Sequence, residues 1–347
     1  MKARIHRPSA DTIKRLARVL RRGGVVAVPT ETVYGLAANA LDTQACAKIF
    51  EIKGRPSTDP LIVHVPSLAA AVEIAVFNAE SRRLAEAFWP GPLTLVLPKR
   101  ECIPSIVTAG LDSVAVRVPR HPAFLRLLAA ARLPLAAPSA NPFGYISPTT
   151  AQHVRDSLGD KVGHILEGGA CRVGLESTIV DMRNPKSPRI LRPGWITAAE
   201  IGRRTGIRVR STNAGKALVR KHTVDSTRID DRGMIAPGML SRHYSPRTPM
   251  RLVRRIGPRE VKELGASGVS VAWLFFAKPE VLPGAVTRNC AFWLSRDGDP
   301  ALAARALFRT LRKLDESGFD LIVAEMAPAS DAAESLNDRL RRAAARS

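Results

Sequence analysis

The sequence has few cysteines and few aromatic residues, and each shortage excludes a class of protein. Only 4 of the 347 residues are cysteine, with no CxxC pair among them: Cys46, Cys102, Cys171 and Cys290. Cysteines scattered in this way argue against a disulfide framework and against structural zinc. Aromatic residues make up 5% of the chain. A platform on which nucleic-acid bases stack is therefore not expected.

Long apolar runs and a secretory signal are also missing. A membrane-spanning helix needs about 18 or more apolar residues, and no such run occurs in the sequence. The amino-terminal MKARIHRPSA lacks the apolar core of a signal peptide. The expectation is a cytoplasmic protein without a membrane partner.

Several catalytic fingerprints are absent as well. The chain contains no GxxxxGK(S/T) phosphate loop, no GxGxxG turn that opens a helix, no HExxH and no GxSxG. A Ser–His–Asp catalytic triad also cannot be identified from the spacing of these residues in the sequence. From the sequence, the metal ligands are unknown.

Positive charge, in contrast, is abundant. The chain has 53 lysine and arginine residues against 31 acidic residues, a net charge of +22. Such a surplus attracts polyanions such as RNA and nucleotides. The basic residues are spread out, however, so a general bias toward arginine explains them as well. A weak contact with tRNA stays open, whereas a dedicated RNA-reading module is not favoured.

The distribution of apolar segments indicates two domains. Strand and helix patterns alternate over residues 1–205, which predicts an α/β domain. The apolar periodicity fails over residues 206–249, a length that is uncommon for a plain connection and is usually disordered or functional. Residues 250–347 alternate again and predict a smaller, Rossmann-like α/β domain with a parallel sheet but no glycine-rich phosphate fingerprint.

Residues 29–64 have the highest density of candidate site residues. The stretch runs from the turn PTETVYG through a short helix that ends on Lys53, Gly54 and Arg55, and finishes on an apolar strand with His64. Two strand ends and a basic helix exit so close together predict one wall of a ligand site. Lys53 also suits the dipole at a helix C-terminus, and this second interpretation has equal support from the sequence.

Arg117 interrupts an otherwise apolar strand, VAVRVP. Because an unpaired buried charge is very costly, Arg117 forms either a structural ion pair or an anion site at a strand end, and we favour the anion site. Cations and hydroxyls near turns fit a nucleotide or another small anion. The residues of this kind are Lys53, Arg55, His64, Ser113, Arg117, Ser139, Ser177 and Arg192.

Eight motifs, in fixed order, carry a resemblance that covers essentially the whole chain: PTETVYGL, KIFEIKGRP, LIVHV, VAVRVP, PSAN, ESTIVD, RPG and APGMLSRHYSP. Together they resemble the Sua5/YrdC/YwlC family of threonylcarbamoyl-AMP synthases. The first seven are similar to the YrdC-like catalytic domain. The long linker and the second domain are similar to the two-domain Sua5 type. The resemblance implies a YrdC-like domain with a twisted open sheet, followed by a smaller α/β domain.

The resemblance also implies a reaction. A nucleotidyltransferase of this family joins L-threonine, bicarbonate and ATP into threonylcarbamoyl-AMP and pyrophosphate. A separate tRNA threonylcarbamoyl-transfer machinery then modifies adenosine in tRNA with the t6A group. Mg²⁺ is expected as the cofactor, bound to the ATP phosphates with few protein ligands of its own.

Site roles follow from the resemblance by position. The catalytic residues would be Lys53, Arg55 and Arg117. The threonine-binding residues would be Thr32, His64, Arg117, Ala137 and Ser177. The nucleotide-binding residues would be Lys53, Arg55, Asp59, Ser113, Ser139, Ser147 and Arg192. The linker, with His243 and Tyr244, would fold over the cleft as a lid.

Two places depart from the family pattern. Thr58 and Asp59 follow KGRP, where an aspartate and then asparagine or lysine are usual, and an acid beside a triphosphate would repel it. In the linker motif, Ala236, Leu240 and Ser241 replace the usual residues, so the lid contacts are expected to differ in detail.

Two rival functions stay under consideration. The net charge alone would suit an RNA-binding, translation-associated factor without catalysis. A carbamoyltransferase of the hydrogenase-maturation type is a further option, because such enzymes also contain YrdC-like domains. Their zinc-finger cysteines and acylphosphatase segment are absent from this sequence.

Overall fold

The computed structural model describes residues 3–211, 234–238, 240, 243–265 and 268–345. Strands and helices alternate through both halves of the chain. The first half contains, in order, β1 (Arg4–His6), α1 (Ala10–Arg21), β2 (Val26–Val28), β3 (Gly35–Asn39), α2 (Thr43–Lys53), β4 (Ile62–His64), α3 (Leu68–Val72), α4 (Ala79–Phe88), β5 (Leu93–Pro98), α5 (Ser105–Thr108), β6 (Ser113–Arg117), α6 (Pro122–Ala131), β7 (Leu135–Ala136), α7 (Ala151–Leu158), β8 (His164–Leu166), β9 (Thr178–Asp181), β10 (Arg189–Arg192), α8 (Ala198–Thr205) and β11 (Arg210–Ser211).

The second half is a smaller α/β unit. Its elements are β12 (Met250–Val253), α9 (Pro258–Gly265), β13 (Val271–Ala277), β14 (Ala291–Ser295), α10 (Pro300–Asp315), β15 (Leu321–Glu325), a 3-10 turn (Asp331–Ala333) and α11 (Glu334–Ala343). Its four strands are all parallel, in the order β12-β15-β13-β14. The prediction of a second α/β unit with a parallel sheet is therefore confirmed.

The strands of the first half form one open, mixed sheet. Within the described part of the chain the order is β1-β8-β2-β3-β7-β4-β6-β5-β9-β10-β11. Near its centre, β4 and β6 run parallel to each other, and so do β5 and β9. Strand β7 is antiparallel to β4. The predicted α/β class is confirmed, and the centre of this sheet brings the candidate site together.

Helix α2 shows how local sequence positions a site residue. Asp42 caps its N-terminus by accepting from two backbone amides, the arrangement that short acids favour at this position. Gly54 follows the helix in the left-handed conformation, with φ of 62°, which costs glycine less than other residues. The Arg55 amide then donates to the Phe50 carbonyl at 3.0 Å. The chain thus turns at once and directs Arg55 into the interior.

One apolar cluster crosses from the first half to the second. Val33, Ile146 and Leu175 pack in the same buried cluster as Leu307 and Phe308 of α10. Burial of apolar surface stabilises such a contact by about 25 cal/mol per Å². The two halves therefore share a core beside the candidate site.

The structure adds strands that the sequence pattern did not predict. Strand β3 has the sequence GLAAN, without β-branched residues, and it lies where the pattern gave only a turn and a helix. It forms because β2 and β7 pair with it on both sides. Strand β11 lies within the predicted linker 206–249. Residues 212–233, 239, 241 and 242 of that linker, including Ser241, lie outside the described residues.

Among residues that the structure describes, none of the helices is both long enough and apolar enough to cross a bilayer.

Candidate functional site

The strand register places three predicted site residues at one edge of the sheet centre. His64 and Arg117 are direct partners across the parallel pair β4–β6, each at the last residue of its strand, and Ser177 directly precedes β9 at the same edge. Ala137 follows directly after the antiparallel β7 and donates its amide to the Ile62 carbonyl at 2.9 Å, at the beginning of β4. Side chains from separate parts of the sequence therefore meet at this edge.

A cavity of about 50 Å³ lies at this edge. Most predicted site residues line it, namely Thr32, Arg55, His64, Arg117, Ala137, Ser139, Ser177, Arg192, His243 and Tyr244. The structure also places other residues on its wall: Thr30, Val33, Gly35, Ile62, Pro138, Glu176, Pro237 and Gly238. A water molecule needs roughly 10–15 Å³ of such space, so this volume has room for a few waters.

Arg117 is held from three sides. Its Nη2 lies 2.5 Å from the Glu31 carboxylate, its Nη1 donates to the Thr32 hydroxyl at 3.0 Å, and its Nε donates to the Gly91 carbonyl at 3.1 Å. Glu31 also accepts from the backbone amide of Arg120 at 3.0 Å. These bonds fix the plane of the guanidinium against the cavity. A guanidinium has five N–H groups, so it can still donate to a carboxylate.

His64 is a neutral imidazole in this wall. Burial, followed by the nearby Arg117, lowers its pKa from 6.5 to about 3. Its ring packs against Phe124, with centroids 5.5 Å apart. Its Nδ1 is buried without a hydrogen-bond partner within the described structure. The side chain can therefore offer a neutral hydrogen-bonding group to a ligand without adding charge.

Asp59 neutralises Arg55. The two side chains form an ion pair of 2.8 Å, and Arg55 is 7% exposed and Asp59 fully buried. Arg55 also donates to the carbonyls of Asp59 and Pro60 at 3.0 and 2.7 Å. Arg55 lines the cavity, whereas Asp59 does not. The acid is therefore the counterion of the arginine, and the arginine lies between the acid and the cavity.

Lys53 lies beneath the loop that follows β7. Its Nζ donates to the carbonyls of Ser139 and Asn141, each at 2.5 Å. The side chain is 4% exposed, and burial, followed by repulsion from Arg55, lowers its pKa well below the ordinary value. Lys53 does not reach the cavity surface in this arrangement. It supports Ser139, which does line the cavity, and its own contact with a phosphate stays a prediction.

Arg192 connects the wall of the cavity to the lid segment. Its Nε and Nη2 donate to the Ser177 carbonyl at 3.2 and 3.1 Å, and Nη2 also reaches the Ser177 hydroxyl at 3.1 Å. Its Nη1 donates to the Pro237 carbonyl at 3.3 Å. The Ser177 hydroxyl shares a further bond of 2.7 Å with Thr94. Two predicted roles, for threonine and for nucleotide, therefore meet at neighbouring side chains.

Ser113 and Ser147 are not brought to the cavity. Ser113 begins β6, and Arg117 ends it. Four residue steps of about 3.3 Å separate them, roughly 13 Å along the strand. Ser147 is buried and donates to Glu176 at 2.5 Å, so it supports the cavity wall from behind. A direct nucleotide contact of either serine stays a prediction.

The described part of the predicted lid covers the cavity. Pro237, Gly238, His243 and Tyr244 line it, and Ser245 pairs with Tyr145 in an isolated β-bridge. Gly238 has φ of 76°, and a Cβ there would lie 2.9 Å from the Tyr244 hydroxyl. Only glycine fits that close approach without strain. The segment is thus shaped to sit tightly over the site.

Glu31 and Glu176 are site residues to which sequence reasoning gave no role. The signal was present, since a buried arginine in a strand needs an acidic partner. Glu31 lies in the motif that also contains Thr32, and Glu176 directly precedes Ser177. Spacing alone could not show which acid faces which arginine.

The described residues do not form a dedicated metal cage. Among them, no group of three or more His, Cys, Asp and Glu side chains could hold a metal ion. Glu176 lines the cavity, but Ser147 and Arg339 already engage its carboxylate. A cation that enters with a nucleotide would take its oxygen ligands mainly from phosphates and water.

Family models match both halves of the chain. One, Sua5_yciO_yrdC, described as "Telomere recombination", matches residues 18–194. Another, described as "Threonylcarbamoyl-AMP synthase, C-terminal domain", matches residues 196–345. The two models together leave out little of the chain.

Curated relatives are similar in sequence to this chain over nearly its full length. Threonylcarbamoyl-AMP synthase of Pyrococcus abyssi is 40% identical over 339 residues, which cover 95% of this chain and 93% of that protein. The enzyme of the same name from Bacillus subtilis is 37% identical over 339 residues, which cover 96% of this chain and 92% of that protein.

A solved structure agrees with the fold. The crystal structure of Pyrococcus abyssi Sua5 complexed with L-threonine superimposes with a TM-score of 0.85 and 38% identity, covering 99% of this chain and 98% of that one. The resemblance that the motifs carried is therefore confirmed. The chain belongs to the Sua5/YrdC/YwlC family, in its two-domain Sua5 form.

Proposed function

We propose that the chain is an L-threonylcarbamoyl-AMP synthase, a nucleotidyltransferase that uses L-threonine, bicarbonate and ATP. The relatives named above carry that activity in their names, and the related crystal structure holds L-threonine. The observation that carries the proposal is the cavity itself. It joins a rigidly held arginine, Arg117, to two further buried arginines, Arg55 and Arg192, under one cover.

Threonine would bind in the half of the cavity that Arg117 forms. The guanidinium presents a fixed, planar donor to the amino-acid carboxylate, and bidentate pairs of this kind are strong and specific. Thr32, His64 and Ser177 surround it with hydroxyl and neutral imidazole groups. The amino group then faces the rest of the cavity, where it adds to CO₂ derived from bicarbonate and gives a carbamate.

Adenylation would occur in the half that Arg55 and Arg192 form. A carbamate oxygen attacks the α-phosphate of ATP, a new P–O bond forms, and the bond to the leaving pyrophosphate breaks. Both reactants are anions, so the site must hold them together and offset their repulsion. Buried cations in a space without bulk water do this effectively. No nucleophilic side chain is needed, which agrees with the missing catalytic motifs.

The lid segment would exclude water from this step. His243 and Tyr244 line the cavity. We propose that this segment moves aside when ATP enters and returns over the bound substrates. We propose that the enclosed conformation protects the carbamate and the mixed anhydride from hydrolysis.

Further elements of the proposal concern the setting of the reaction. Mg²⁺ bound to the ATP phosphates would supply charge neutralisation there, with few ligands from the protein. The product would pass to a tRNA threonylcarbamoyl-transfer machinery in the cytoplasm. Any direct tRNA contact by this chain would be a weak, charge-based attraction.

Pyrophosphate release tests the proposal. The purified chain is incubated with ATP, threonine, bicarbonate and Mg²⁺, and then with each of the first three omitted in turn. Release only when all three substrates are present supports the synthase. Threonine-independent release contradicts it. Salt-dependent binding of RNA without any release would favour the non-catalytic RNA-binding function instead.

A further inference from the structure

Arg339 is a fully buried arginine that the second half of the chain places beside the cavity. It lies on α11 and is 0% exposed. Its Nε donates to the Glu176 carboxylate at 2.9 Å, and its Nη1 donates to the Pro193 carbonyl at 3.0 Å and to Asp338 at 2.6 Å. Its guanidinium carbon also lies 5.1 Å from the centre of the Tyr244 ring.

Apart from the bond to Asp338 on its own helix, these contacts touch the cavity wall, a residue next to the wall, or the cover. Glu176 lines the cavity and precedes Ser177. Pro193 directly follows Arg192, which lines the cavity as well. Tyr244 belongs to the cover. One side chain from the second half therefore reaches two wall segments and the cover of a site whose other residues lie in the first half and the linker.

We propose that Arg339 is a positioning residue for the closed site, which fixes the Glu176–Ser177 wall and the Tyr244 cover in the arrangement that binds threonine. The consequence for threonine rests on the proposed function. The second domain is then part of the ligand site, since α11 sets the geometry of its wall.

The side chain of Arg339 is better suited to fixing the geometry of the cavity wall than to merely joining the two domains. Apolar residues of similar volume often join two domains as well as a buried ion pair does, or better. A guanidinium, however, is planar and carries several donors, so it can fix three partners in one geometry. Glu176 in turn accepts from Ser147 at 2.5 Å, so the wall is held by a short chain of charge-assisted bonds.

A second arginine on α11, one helical turn further along, supports the same inference. Arg342 lies next to the cover and donates to Asp338 at 3.1 Å and to the Leu240 carbonyl. Its own carbonyl accepts from the His243 amide at 3.3 Å and from the Ser245 hydroxyl at 3.4 Å. Helix α11 thus contacts the cover at several points, and Arg339 is the point that also reaches the wall.

The test compares Arg339→Met with Arg339→Lys and with Arg341→Met. Arg341 is exposed on the same helix, so its variant changes net charge equally without touching the site. In Arg339→Met, Glu176 loses its cation, the wall relaxes, and the fraction of molecules competent to bind threonine falls. A tenfold fall raises the apparent threonine KM about tenfold. Arg339→Lys keeps the charge and should fall between Arg339→Met and the wild type.

Hydrogen exchange gives a readout that does not depend on activity. The Thr178 amide donates to the Pro92 carbonyl, and the Ser245 amide donates to the Gly144 carbonyl. Arg339→Met should speed exchange at both amides about tenfold or more, through local opening, while Arg341→Met should leave both unchanged. Arg339→Lys provides the comparison should Arg339→Met not fold.

The outcomes are distinct. Faster exchange together with a raised threonine KM is the expected result. Unchanged exchange, or faster exchange with an unchanged threonine KM, overturns the positioning role. A wild-type chain that releases no pyrophosphate overturns the proposed function, and in that case the threonine dissociation constant of the variants replaces KM as the deciding measure. Absence of threonine binding by the wild type overturns the inference too.

Discussion

Arg55 and Asp59 form a buried ion pair in which Nη2 lies 2.8 Å from Oδ1. The sequence raised the concern that an acid at position 59 would repel a triphosphate. In the structure Asp59 faces Arg55, whereas Arg55 lines the cavity, and a direct part for Asp59 in nucleotide binding stays a prediction. The acid neutralises the arginine as long as no phosphate is bound, and so lowers the cost of burying an arginine at this site.

Asp59→Asn should destabilise the protein strongly. It leaves Arg55 buried without its counterion, and breaking a buried pair on one side costs about 3–5 kcal/mol. The measurement is the free energy of unfolding from urea denaturation. Asp160 is exposed, so Asp160→Asn is the matched control, with an expected change within about 0.5 kcal/mol. A similarly small change for Asp59→Asn would show that the pair does not matter for folding.

Lys53→Met should reduce stability even without any ligand. The carbonyls of Ser139 and Asn141 would lose a buried donor, and unsatisfied buried groups cost about 1–3 kcal/mol each. We expect a loss of about 2–4 kcal/mol, together with a raised ATP KM because Ser139 shifts.

Lys48→Met on the same helix is the control for Lys53. Lys48 is exposed and donates to the Gly23 carbonyl at 2.8 Å, so its loss should change stability by less than about 1 kcal/mol. If Lys53→Met raised the ATP KM but left the stability of the free protein unchanged, Lys53 would be a phosphate ligand rather than a support for the loop.

Glu31→Gln should weaken threonine use more than ATP use. The amide keeps the shape of Glu31 but removes the charge that orients Arg117. Charge-assisted bonds are roughly twice as strong as neutral ones, and we expect a rise in the threonine KM of about tenfold, or about 1.4 kcal/mol. Steady-state pyrophosphate release at varied threonine and varied ATP separates the two constants. Glu51→Gln, at an exposed position, should behave as the wild type. Equal rises in both constants would contradict a role specific to threonine.

His64 predicts a pH dependence of stability. Its folded pKa is about 3, lowered first by burial, whereas an unfolded histidine titrates near pH 6.5. Between these values the unfolded chain binds a proton that the folded protein does not, so the free energy of unfolding falls as the pH falls below 6.5. At pH 5 this amounts to about 2 kcal/mol.

His64→Asn removes that contribution. The difference in unfolding free energy between wild type and variant should therefore shrink by about 2 kcal/mol from pH 7 to pH 5. Urea denaturation at the two pH values measures it, and a pH-independent difference would mean that His64 is not desolvated in the folded protein.

The sequence predicted the fold class well because the apolar patterns are long and regular. Strand β6, for example, follows directly from the apolar run VAVRVP. Strand β3 could not be predicted, because GLAAN forms a strand only between β2 and β7. Long-range pairing decides such a segment more than its own residues do.

The site was predictable in its residue types and less so in its geometry. The motifs named residues that the fold gathers, since Thr32, His64, Arg117, Ala137 and Ser177 all line one cavity, and their contacts with threonine stay a prediction. Spacing could not show that Lys53 and Ser147 face inward to support that wall. Spacing also could not predict a site role for Arg339, because the ion pair between Arg339 and Glu176 depends on how the two halves pack.

Identification of the product tests the central claim most directly. The chain is incubated with ATP, L-threonine and ¹³C-labelled bicarbonate, and the reaction is quenched and examined by mass spectrometry. The account predicts an adenylate that contains AMP, threonine and one labelled carbon, formed together with an equal amount of pyrophosphate. Its formation should require threonine and should be lost in Arg117→Ala. Pyrophosphate release without a labelled, threonine-containing adenylate would contradict the account.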